Sequence, residues 1–455
     1  MRRTAVLNIV GLTSSLIGEH TPHMSCFVER SAVAKVKPAF PAVTCVAQSN
    51  FLTGTPPSQH GVVANGWFNR EHREVHFWKQ SNHLVQRPKV WEDLKQAYPS
   101  LTCAKMFWWY NMYSSVDYSI TPRPIYPADG RKVFDVYTHP MGMREEVKQD
   151  LGDFPFFNFW GPKAGIDSSR WIGESAKWIE RKQSPTLNLV YLPHLDYNLQ
   201  RLGPSHPDIA LDLEAIDEVV GDLIRFFEER SVQVILLSEY GISDVDRPIH
   251  LNRVFREKGW ITIKDELGLE QLDCGASRAF AAADHQVAHV YVNDESIRSQ
   301  VYEVLESVDG VERILDENGK REMKVEHERS GDFIAIADER SWFTYYYWMD
   351  DSVAPDFARC VDIHRKPGYD PVELFIDPEL KVPALRLAGF LAKKKLGLRG
   401  LMDIIPLDAS LVKGSHGRIP RSSEEWPIFV GPESDVKVRE STDVYHGIRD
   451  AVIAK

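Results

Sequence analysis

The chain has 455 residues, 43% of them hydrophobic and 11% aromatic, which is enough to bury a core larger than that of one ordinary domain. Its formal net charge of −11 argues against a nucleic-acid groove or an anionic membrane surface as the main partner, because both require concentrated Lys and Arg. The five cysteines are widely spaced and form no CxxC pair, so they predict reduced thiols in a cytoplasmic protein rather than a disulfide framework or a zinc knuckle.

The first predicted element is a core strand at residues 4–10, with the sequence TAVLNIV. This run is short and β-branched, and Gly11 follows it. Two arginines precede it, so the opening could also be a secretory signal, but no small-residue cleavage site follows cleanly. We therefore expect a strand. Along the whole chain no apolar run reaches about 20 residues, so the sequence predicts no membrane span.

The second predicted element is a helix that begins near Thr44. This threonine follows Pro38 and Pro41 and precedes a short apolar run that stops at Gly54. Its hydroxyl could cap the helix by accepting a backbone N–H of the first turn. A helix N-terminus also gathers partial positive charge, which suits a phosphate or a nucleophile that must carry negative charge. At this point both interpretations of Thr44 stay open.

Strand and helix patterns then alternate along the chain. Three more apolar runs of strand length are TCAKMFWW (102–109), TLNLVYL (186–192) and VQVILL (232–237). Between the last two, the sequence at 216–230 has its apolar residues on one helical face. Strand, helix and strand in this order predict an α/β protein whose parallel sheet is covered by helices on both faces.

Acidic residues follow two of these strands. Asp196 comes after the strand at 186–192, and Glu239 comes after the strand at 232–237. In parallel sheets of this kind, ligands bind at the carboxyl ends of the strands. The two acids are therefore candidate site residues.

Two stretches interrupt the alternation and predict the domain organisation. Residues 111–180 are rich in Pro, Gly and aromatics, and residues 251–325 have a mixed, charged composition. We expect both to be insertions that form a cap over the sheet edge. The remaining ranges, 1–110, 181–250 and 326–455, would form the core.

Several motifs occur in the order and spacing of a known group. They are PAVT at 41–44, LTGTPPSQHGVVANGWF at 52–68, RLGP at 201–204, SEYG at 238–241, RSGDFIAIAD at 329–338 and GSHG at 414–417. In these motifs the chain resembles the alkaline phosphatase superfamily, specifically type I phosphodiesterase/nucleotide pyrophosphatase-like proteins and phosphonoacetate hydrolase. The resemblance implies an alkaline phosphatase-like three-layer sandwich with a mostly parallel central sheet. It also implies a hydrolase of a phosphodiester, phosphomonoester or phosphonate.

The resemblance further implies roles for single residues. In that family the threonine that matches Thr44 is the nucleophile, the asparagine that matches Asn65 binds the phosphoryl oxygen, and Asp and His residues hold two metal ions, usually zinc. Two cations would polarise the phosphoryl oxygens, lower the pKa of the threonine hydroxyl and stabilise the leaving oxygen. Transfer to Thr44 would then give a phosphothreonine intermediate that water hydrolyses.

The chain departs from this family at its metal positions. Three metal-binding residues of the family are replaced here. Val10 stands where the family has an acid before Gly11, and Gln200 stands at the histidine of a helical Asp-x-x-x-His pair. Tyr240 stands at the histidine of the Asp-His pair after the later strand. Glu239 is a conservative change, and Asp196 and His416 match the family. Zinc requires nitrogen, sulfur or carboxylate oxygen donors. We therefore predict at most one metal ion in the two sites, held by Asp196 and His416.

Two loops offer further donors. Asp362 and His364 lie two residues apart in the loop-like stretch 345–375 and could swing into the site, so we predict that they help to complete the metal shell. Further candidates, each more simply explained as a surface or core polar residue, are Asp370, Asp284, His285 and His289. A site with more carboxylates and fewer histidines would also suit manganese, magnesium or calcium.

Three functions stay open on the sequence. The first is a metal-assisted hydrolase with a divergent metal site, which acts through Thr44 on a small phosphorylated or phosphonate substrate. The second is a non-catalytic or metal-poor relative that serves as a binding or scaffold protein, because fold alone does not guarantee chemistry. The third is a transferase or esterase that uses the same threonine. We favour the first because Thr44 and Asn65 are both retained.

Overall fold

The structure, a computed structural model, describes residues 1–129, 131–382, 386, 388–390, 392–393, 396, 400–431 and 438–454. The helices include Pro22–Glu29 (α1), Thr44–Thr53 (α2), Pro57–His60 (α3), Val90–Ala97 (α4), Met143–Leu151 (α5), Ile166–Gln183 (α6), His194–Leu202 (α7), Ile209–Glu228 (α8), Leu251–Glu257 (α9), Arg298–Ser307 (α10), Glu317–Glu322 (α11) and Val444–Ile453 (α12).

The strands include Thr4–Ile9 (β1), Ala32–Lys35 (β2), Gly66–Asn69 (β3), Glu74–Phe77 (β4), Cys103–Met106 (β5), Tyr118–Pro122 (β6), Val136–His139 (β7), Leu187–Leu192 (β8), Gln233–Leu237 (β9), Ser243–Asp244 (β10), Arg247–Ile249 (β11), Ile263–Glu266 (β12), Leu269–Leu272 (β13), Ala279–Asp284 (β14), Val287–Val292 (β15), Val311–Leu315 (β16), Phe333–Ala337 (β17), Ser341–Phe343 (β18), Gly414–Ser415 (β19) and Ile428–Gly431 (β20).

An eight-stranded sheet forms the centre of the molecule, in the order β2-β20-β9-β1-β8-β5-β6-β7. β1 pairs in parallel with both β8 and β9, and β5 pairs in parallel with both β8 and β6. The outer strands β2, β20 and β7 are antiparallel to their neighbours. The mostly parallel sheet predicted from the four apolar runs is therefore confirmed.

The inner strands are apolar on both faces because helices cover the sheet on both sides. All six residues of β1 and all six of β8 are buried. α6 and α8 pack on each other and on β8 and β9, while α12 packs on α2, α4 and β1. α8 begins before the helix predicted at 216–230, because Ile209 and Leu213 continue its buried face. β5 ends before the predicted residue 109, because Phe107 has a φ of 64°, which an extended strand does not allow.

A second sheet of four antiparallel strands, in the order β14-β15-β17-β16, lies within residues 279–337. Its core joins Leu251, Phe255 and Trp260 to the inner faces of β14, β15 and β17. His285 and Gln286 form the turn between β14 and β15. This turn reaches the candidate site.

The structure differs from the predicted boundaries of core and insertions. β6 and β7, from the predicted insertion 111–180, belong to the central sheet, because β6 continues the parallel pairing of β5. β17, from the predicted core range 326–455, belongs to the four-stranded sheet. Most of that sheet does come from the predicted insertion 251–325. Among the described helices, none combines the length and the apolar character needed to cross a bilayer.

Candidate active site

The candidate site lies at the carboxyl ends of three neighbouring parallel strands. Val10 follows β1, α7 follows β8, and Glu239 and Tyr240 follow β9. Because β1 lies between β8 and β9, the residues after these strands lie side by side. Asp196 belongs to the first turn of α7. The sheet thus brings together residues that are far apart in the chain.

Thr44 is the first residue of α2, and only 4% of its surface is exposed. The cap position is occupied by Val43, so Thr44 does not cap the helix. The Thr44 hydroxyl lies 3.0 Å from the Tyr240 hydroxyl, which donates to Oδ1 of Asp196 at 3.2 Å. Because Tyr240 uses its one hydrogen on Asp196, Thr44 is the donor in the first bond. The three groups form a chain that leads from Thr44 to Asp196.

Asp196 is held from two sides. Gln200, one turn further along α7, donates to Oδ2 at 2.8 Å, and Nε2 of His416 lies 3.9 Å from Oδ1. Burial raises the pKa of Asp196 to about 7, although hydrogen bonds from Tyr240 and Gln200 oppose the shift. Near neutral pH this carboxyl group therefore lies between its neutral and charged forms.

Glu239 is fully buried at the end of β9. Its Oε1 accepts hydrogen bonds from Asn8 and from Gln48, each at 2.6 Å. Burial raises the pKa of Glu239 to about 8, although hydrogen bonds from Gln48 and Asn8 oppose the shift. Gln48 also accepts from the backbone N–H of Trp109 at 2.8 Å. Glu239 therefore connects the sheet to α2 and, through Gln48, to the loop after β5.

Asn65 connects the start of α2 to the four-stranded sheet. Its Oδ1 accepts from the backbone N–H of Cys45 at 3.0 Å. Its backbone N–H and its Nδ2 donate to the two oxygens of Asp284 at 2.8 and 3.1 Å. Burial raises the pKa of Asp284 to about 6. Asn65 thus lies beside the first turn of α2, with its amide already bound by protein groups.

His416 and His285 are buried imidazoles whose tautomers are set by hydrogen bonds. His416 donates from Nδ1 to the carbonyl oxygen of Ala42 at 2.7 Å, and Nδ1 of His285 lies 2.7 Å from Oδ1 of Asp284. Burial lowers the pKa of both rings well below the ordinary value, so both are neutral at pH 7. Within the described ranges, Nε2 of neither ring has a hydrogen-bond partner.

The structure brings five predicted site residues into this buried cluster and leaves two outside it. The five are Thr44, Asn65, Asp196, Glu239 and His416. The backbone N–H of Asp362 instead donates to Glu373, and Nδ1 of His364 lies 3.4 Å from the carbonyl oxygen of Phe77. These contacts of both residues thus lie outside the cluster: a backbone contact for Asp362 and an imidazole contact for His364.

The side chains present do not fit the pair of divalent cations that the family uses. Val10 offers an alkyl group, and the carbonyl oxygen of Gln200 accepts from the Tyr369 hydroxyl at 2.9 Å. Burial raises the pKa of Tyr240 well above its ordinary value, so this phenol stays protonated. In the part of the chain that the structure describes, no group of three or more His, Cys, Asp or Glu side chains is arranged to hold a metal ion.

Tyr240, Asp284 and His285 also lie in the cluster, although the sequence predicts no catalytic role for them. Tyr240 counted only as a lost metal ligand, whereas its hydroxyl joins Thr44 to Asp196. For Asp284 and His285 the sequence favours the simpler explanation of a surface or core polar residue. The one signal for them is their position between the apolar runs AFAAAD and VAHVYV, which places them at a hairpin turn.

The sequence of the chain is similar to that of a known protein family. Residues 4–370 match the family described as type I phosphodiesterase/nucleotide pyrophosphatase. An uncharacterized pyrophosphatase/phosphodiesterase of Schizosaccharomyces pombe is 24% identical over 247 residues, which cover 52% of this chain and 44% of that protein. The chain thus spans less than half the length of the curated relative it matches.

Solved structures with the same fold include members of two groups. An inactive threonine-to-alanine variant of murine ectonucleotide pyrophosphatase/phosphodiesterase 5, in complex with AMP, has a TM-score of 0.59 at 14% identity, over 99% of this chain and 95% of that chain. Phosphonoacetate hydrolase from Sinorhizobium meliloti, in complex with phosphonoformate, has a TM-score of 0.62 at 13% identity, over 99% and 96%. The predicted alkaline phosphatase-like fold is confirmed by these likenesses. The match over residues 4–370 shows that the chain belongs to the type I phosphodiesterase/nucleotide pyrophosphatase family.

Proposed function

We propose that the chain is a hydrolase that cleaves a phosphodiester, phosphomonoester or phosphonate with Thr44 as its nucleophile. The observation that carries this proposal is the hydrogen-bonded chain from Thr44 through Tyr240 to Asp196, at the start of α2. A helix N-terminus favours the negative charge of a phosphoryl group and of an attacking oxygen. Membership of the family supports the same reaction class.

The reaction has two steps. In the first, Oγ1 of Thr44 bonds to phosphorus while the bond to the leaving oxygen, or to the leaving carbon of a phosphonate, breaks. The Thr44 proton passes to Tyr240 as Tyr240 passes its own proton to Asp196, and the leaving group takes a proton from solvent. In the second, water attacks the phosphothreonine, its proton leaves with bulk water, and Thr44 regains its proton from Asp196 through Tyr240.

The buried carboxyl groups of the site affect how an anionic substrate binds. Three ionised carboxylates would repel a phosphoryl group. Burial raises the pKa values of Asp196, Glu239 and Asp284 to about 7, 8 and 6, so at neutral pH the site carries less negative charge than three ordinary carboxylates. A protonated Glu239 also offers a hydrogen that an ionised one lacks. Protons thus take part of the neutralising role that the family gives to metal ions.

The substrate class follows from the relatives and from the site wall. One solved relative holds AMP and another holds phosphonoformate, which favours a small phosphorylated or phosphonate compound. Trp78 lies with its ring centroid 4.7 Å from Trp109 and 6.0 Å from Tyr369, so aromatic rings border the cluster. The prediction of at most one divalent cation, zinc or a harder ion, stays a prediction.

A binding or scaffold protein is the second candidate, and the replaced metal ligands favour it. Val10, Gln200 and Tyr240 stand where the family has donors, and Thr44 is almost completely buried. A protein of this kind would bind a phosphorylated ligand without turnover. The retained threonine and its directed hydrogen bonds favour hydrolysis over this alternative.

Substitution of the nucleophile separates the two candidates. Thr44→Ala should lower the turnover of p-nitrophenyl phosphate, bis(p-nitrophenyl) phosphate or phosphonoacetate by about 100-fold or more, because no other group replaces the attacking oxygen. The variant should stay folded, since it loses one hydrogen bond worth about 1 kcal/mol. Steady-state kinetics and circular dichroism measure the two effects.

The matched control is Thr53→Ala, in the same helix. Thr53 is also a buried threonine, and it donates to the carbonyl oxygen of Ser49 at 2.7 Å, away from the cluster. This variant should keep its turnover. Turnover of Thr44→Ala within about tenfold of wild type would reject Thr44 as the nucleophile. Absence of turnover in the wild type on all three compounds, with retained binding of phosphonoacetate, would favour the binding protein.

A further inference from the structure

Four aromatic rings from separate parts of the chain form one continuous stack in the site. The ring centroids of Tyr240 and His416 are 3.6 Å apart, those of His416 and His285 are 3.7 Å apart, and those of His285 and Tyr369 are 3.6 Å apart. The angles between successive planes are 10°, 36° and 21°. Each of the four residues is at most 4% exposed. The stack is therefore a packed, interior feature.

Each ring in the stack is fixed by a hydrogen bond at its polar atom. Tyr240 donates to Asp196, and Tyr369 donates to Oε1 of Gln200, which in turn donates to Asp196. His416 donates to a backbone carbonyl, and His285 is bound by its neighbour Asp284. The two ends of the stack, Tyr240 and Tyr369, are thus linked to the Asp196 carboxyl group by hydrogen bonds.

The Tyr240 hydroxyl stands between Thr44 and Asp196, two residues that would hold cations in the family. It is within hydrogen-bond distance of both Thr44 and Asp196. Zinc would take nitrogen, sulfur or carboxylate oxygen donors at this site, whereas Tyr240 supplies a phenol oxygen that is already hydrogen-bonded to both residues. Nε2 of His416 faces the same Asp196 oxygen to which Tyr240 donates. The phenol of Tyr240 therefore competes with a cation for Asp196 and His416, the carboxylate and histidine that the chain retains from the family's metal ligands.

His285 is brought to this position by the four-stranded sheet. It is the first residue of the turn between β14 and β15, with a φ of 60°, a left-handed conformation that a histidine seldom adopts. The backbone N–H of Phe343 donates to the carbonyl oxygen of His285 at 2.7 Å. The backbone N–H of the next residue, Gln286, donates to the carbonyl oxygen of His416 at 2.8 Å. Surrounding contacts thus hold this backbone conformation in place.

We propose that Tyr240 and His285 fill the space that a pair of cations would need, and that the Tyr240 hydroxyl, in place of a metal ion, positions Thr44. The part that concerns Thr44 rests on the proposed function, whereas the part that concerns cations does not. The chain would then be a member of its family whose site geometry is complete without metal.

Metal binding and stability test the first part without any assay of activity. Wild-type protein, equilibrated with zinc or manganese and desalted, should retain substoichiometric metal by inductively coupled plasma mass spectrometry. Its Tm should not rise with added zinc, because only a ligand that binds the native state raises Tm. The variant Val10→Asp/Gln200→His/Tyr240→His restores the three donors and should gain zinc and a higher Tm.

Gln200→His alone is the matched control for the restored donors. It adds an imidazole but leaves the Tyr240 hydroxyl between Thr44 and Asp196, so it should not gain zinc. A wild-type protein that holds one or two ions per chain, with a zinc-dependent rise in Tm, would overturn the proposal. That result is decisive even where the triple variant fails to fold.

Tyr240→Phe tests the second part, because it keeps the ring in the stack and removes only the hydroxyl. We expect kcat to fall by about tenfold or more with little change in KM, since Thr44 loses its acceptor and a substrate contact is not removed. Tyr445→Phe is the control: it removes a tyrosine hydroxyl that donates to Asp93 at 2.6 Å, away from the cluster, and should keep kcat.

The two parts fail in distinguishable ways. A kcat of Tyr240→Phe equal to that of wild type would overturn the positioning role of Tyr240. A wild-type protein with no turnover would reject the proposed function and the positioning role with it, while the metal measurement still decides what fills the site.

Discussion

Lys105 is a buried base on β5 that supports the wall of the site. It is completely buried, and its Nζ donates to the backbone carbonyl oxygens of Trp109 and Tyr110 at 2.7 and 3.0 Å. Trp109 in turn donates to Gln48, which binds Glu239. Lys105 therefore helps to hold the loop after β5 against the start of α2.

The stability of the protein should depend on the titration of Lys105. Burial lowers its pKa to about 7, below the ordinary value near 10.5. Below pH 7 the lysine is charged in both the folded and the unfolded state, and its burial then destabilises the fold most. Above pH 7 the folded state loses this proton while the unfolded state keeps it. The free energy of unfolding therefore rises with pH. Relative to Lys105→Met, the free energy of unfolding of wild type should increase between about pH 7 and 9, by up to about 1.4 kcal/mol per pH unit.

Urea denaturation of both proteins across this range measures the difference. The comparison removes the contributions of Asp196 and Glu239, which titrate in both proteins. A difference that does not change with pH would show that Lys105 has an ordinary pKa in the folded state.

For single residues of the site, the sequence predicts where in the fold they lie better than it predicts which side chains they contact. Thr44 and Asp196 could be placed because motifs and strand ends mark them, and parallel strands bring their carboxyl ends together. The role of Tyr240 depends on a hydroxyl–hydroxyl distance that no spacing in SEYG encodes. His285 enters from another sheet, through a backbone conformation that the sequence does not mark with glycine.

The stretch 362–374, whose regular structure is a short 3₁₀ helix at Pro371–Leu374, shows how a loop segment is fixed next to the site. Nζ of Lys366 lies 2.7 Å from Oδ2 of Asp370 and 2.7 Å from Oε1 of Glu373, and all three side chains are at most 3% exposed. The other Glu373 oxygen accepts from Nε1 of Trp160 at 2.6 Å. Tyr369, the last ring of the stack, lies between the residues of this ion cluster in the sequence.

Removal of Lys366 should destabilise the protein strongly. Lys366→Met would leave two buried carboxyl groups without their cation, which typically costs about 3–5 kcal/mol. Thermal or urea denaturation measures the loss. Lys264→Met, which removes an exposed lysine 3.6 Å from Asp273, is the control and should change stability little. A loss below about 1 kcal/mol for Lys366→Met would mean that the cluster relaxes or takes up protons.

At the level of elements, apolar runs were the reliable signal. The four strands predicted from such runs are all present as β1, β5, β8 and β9. β6 and β7 were missed because YSITP and VYTH are too short and too polar to stand out from a Pro-rich stretch. Their place at the sheet edge follows from pairing with β5, a non-local contact.

The two largest sheets of the described structure, of eight and four strands, meet at the site. Asp284 and His289 connect the four-stranded sheet to the α2 region: Asp284 accepts from Asn65, and Nε2 of His289 lies 3.1 Å from the carbonyl oxygen of Val63. Arg329 donates to the carbonyl oxygens of Gly61 and Leu84 at 2.7 and 2.8 Å. The segment from Gly61 to Asn65 is therefore a polar connection between the four-stranded sheet and the α2 region.

Removal of the Asp284 carboxylate should allow the four-stranded sheet to open locally without the eight-stranded sheet. Asp284→Ala removes the acceptor of three buried donors, on Asn65 and His285, and each unpaired donor costs about 1–3 kcal/mol. Because the two bonds from Asn65 join the four-stranded sheet to the α2 region, we expect hydrogen exchange to increase more in peptides of β14, β15 and β17 than in those of β1, β8 and β9. Hydrogen-exchange mass spectrometry at pH 7 measures both groups, with Asp309→Ala, an exposed acid, as the control. An equal loss of protection in both groups would show instead that the two sheets unfold as a single unit.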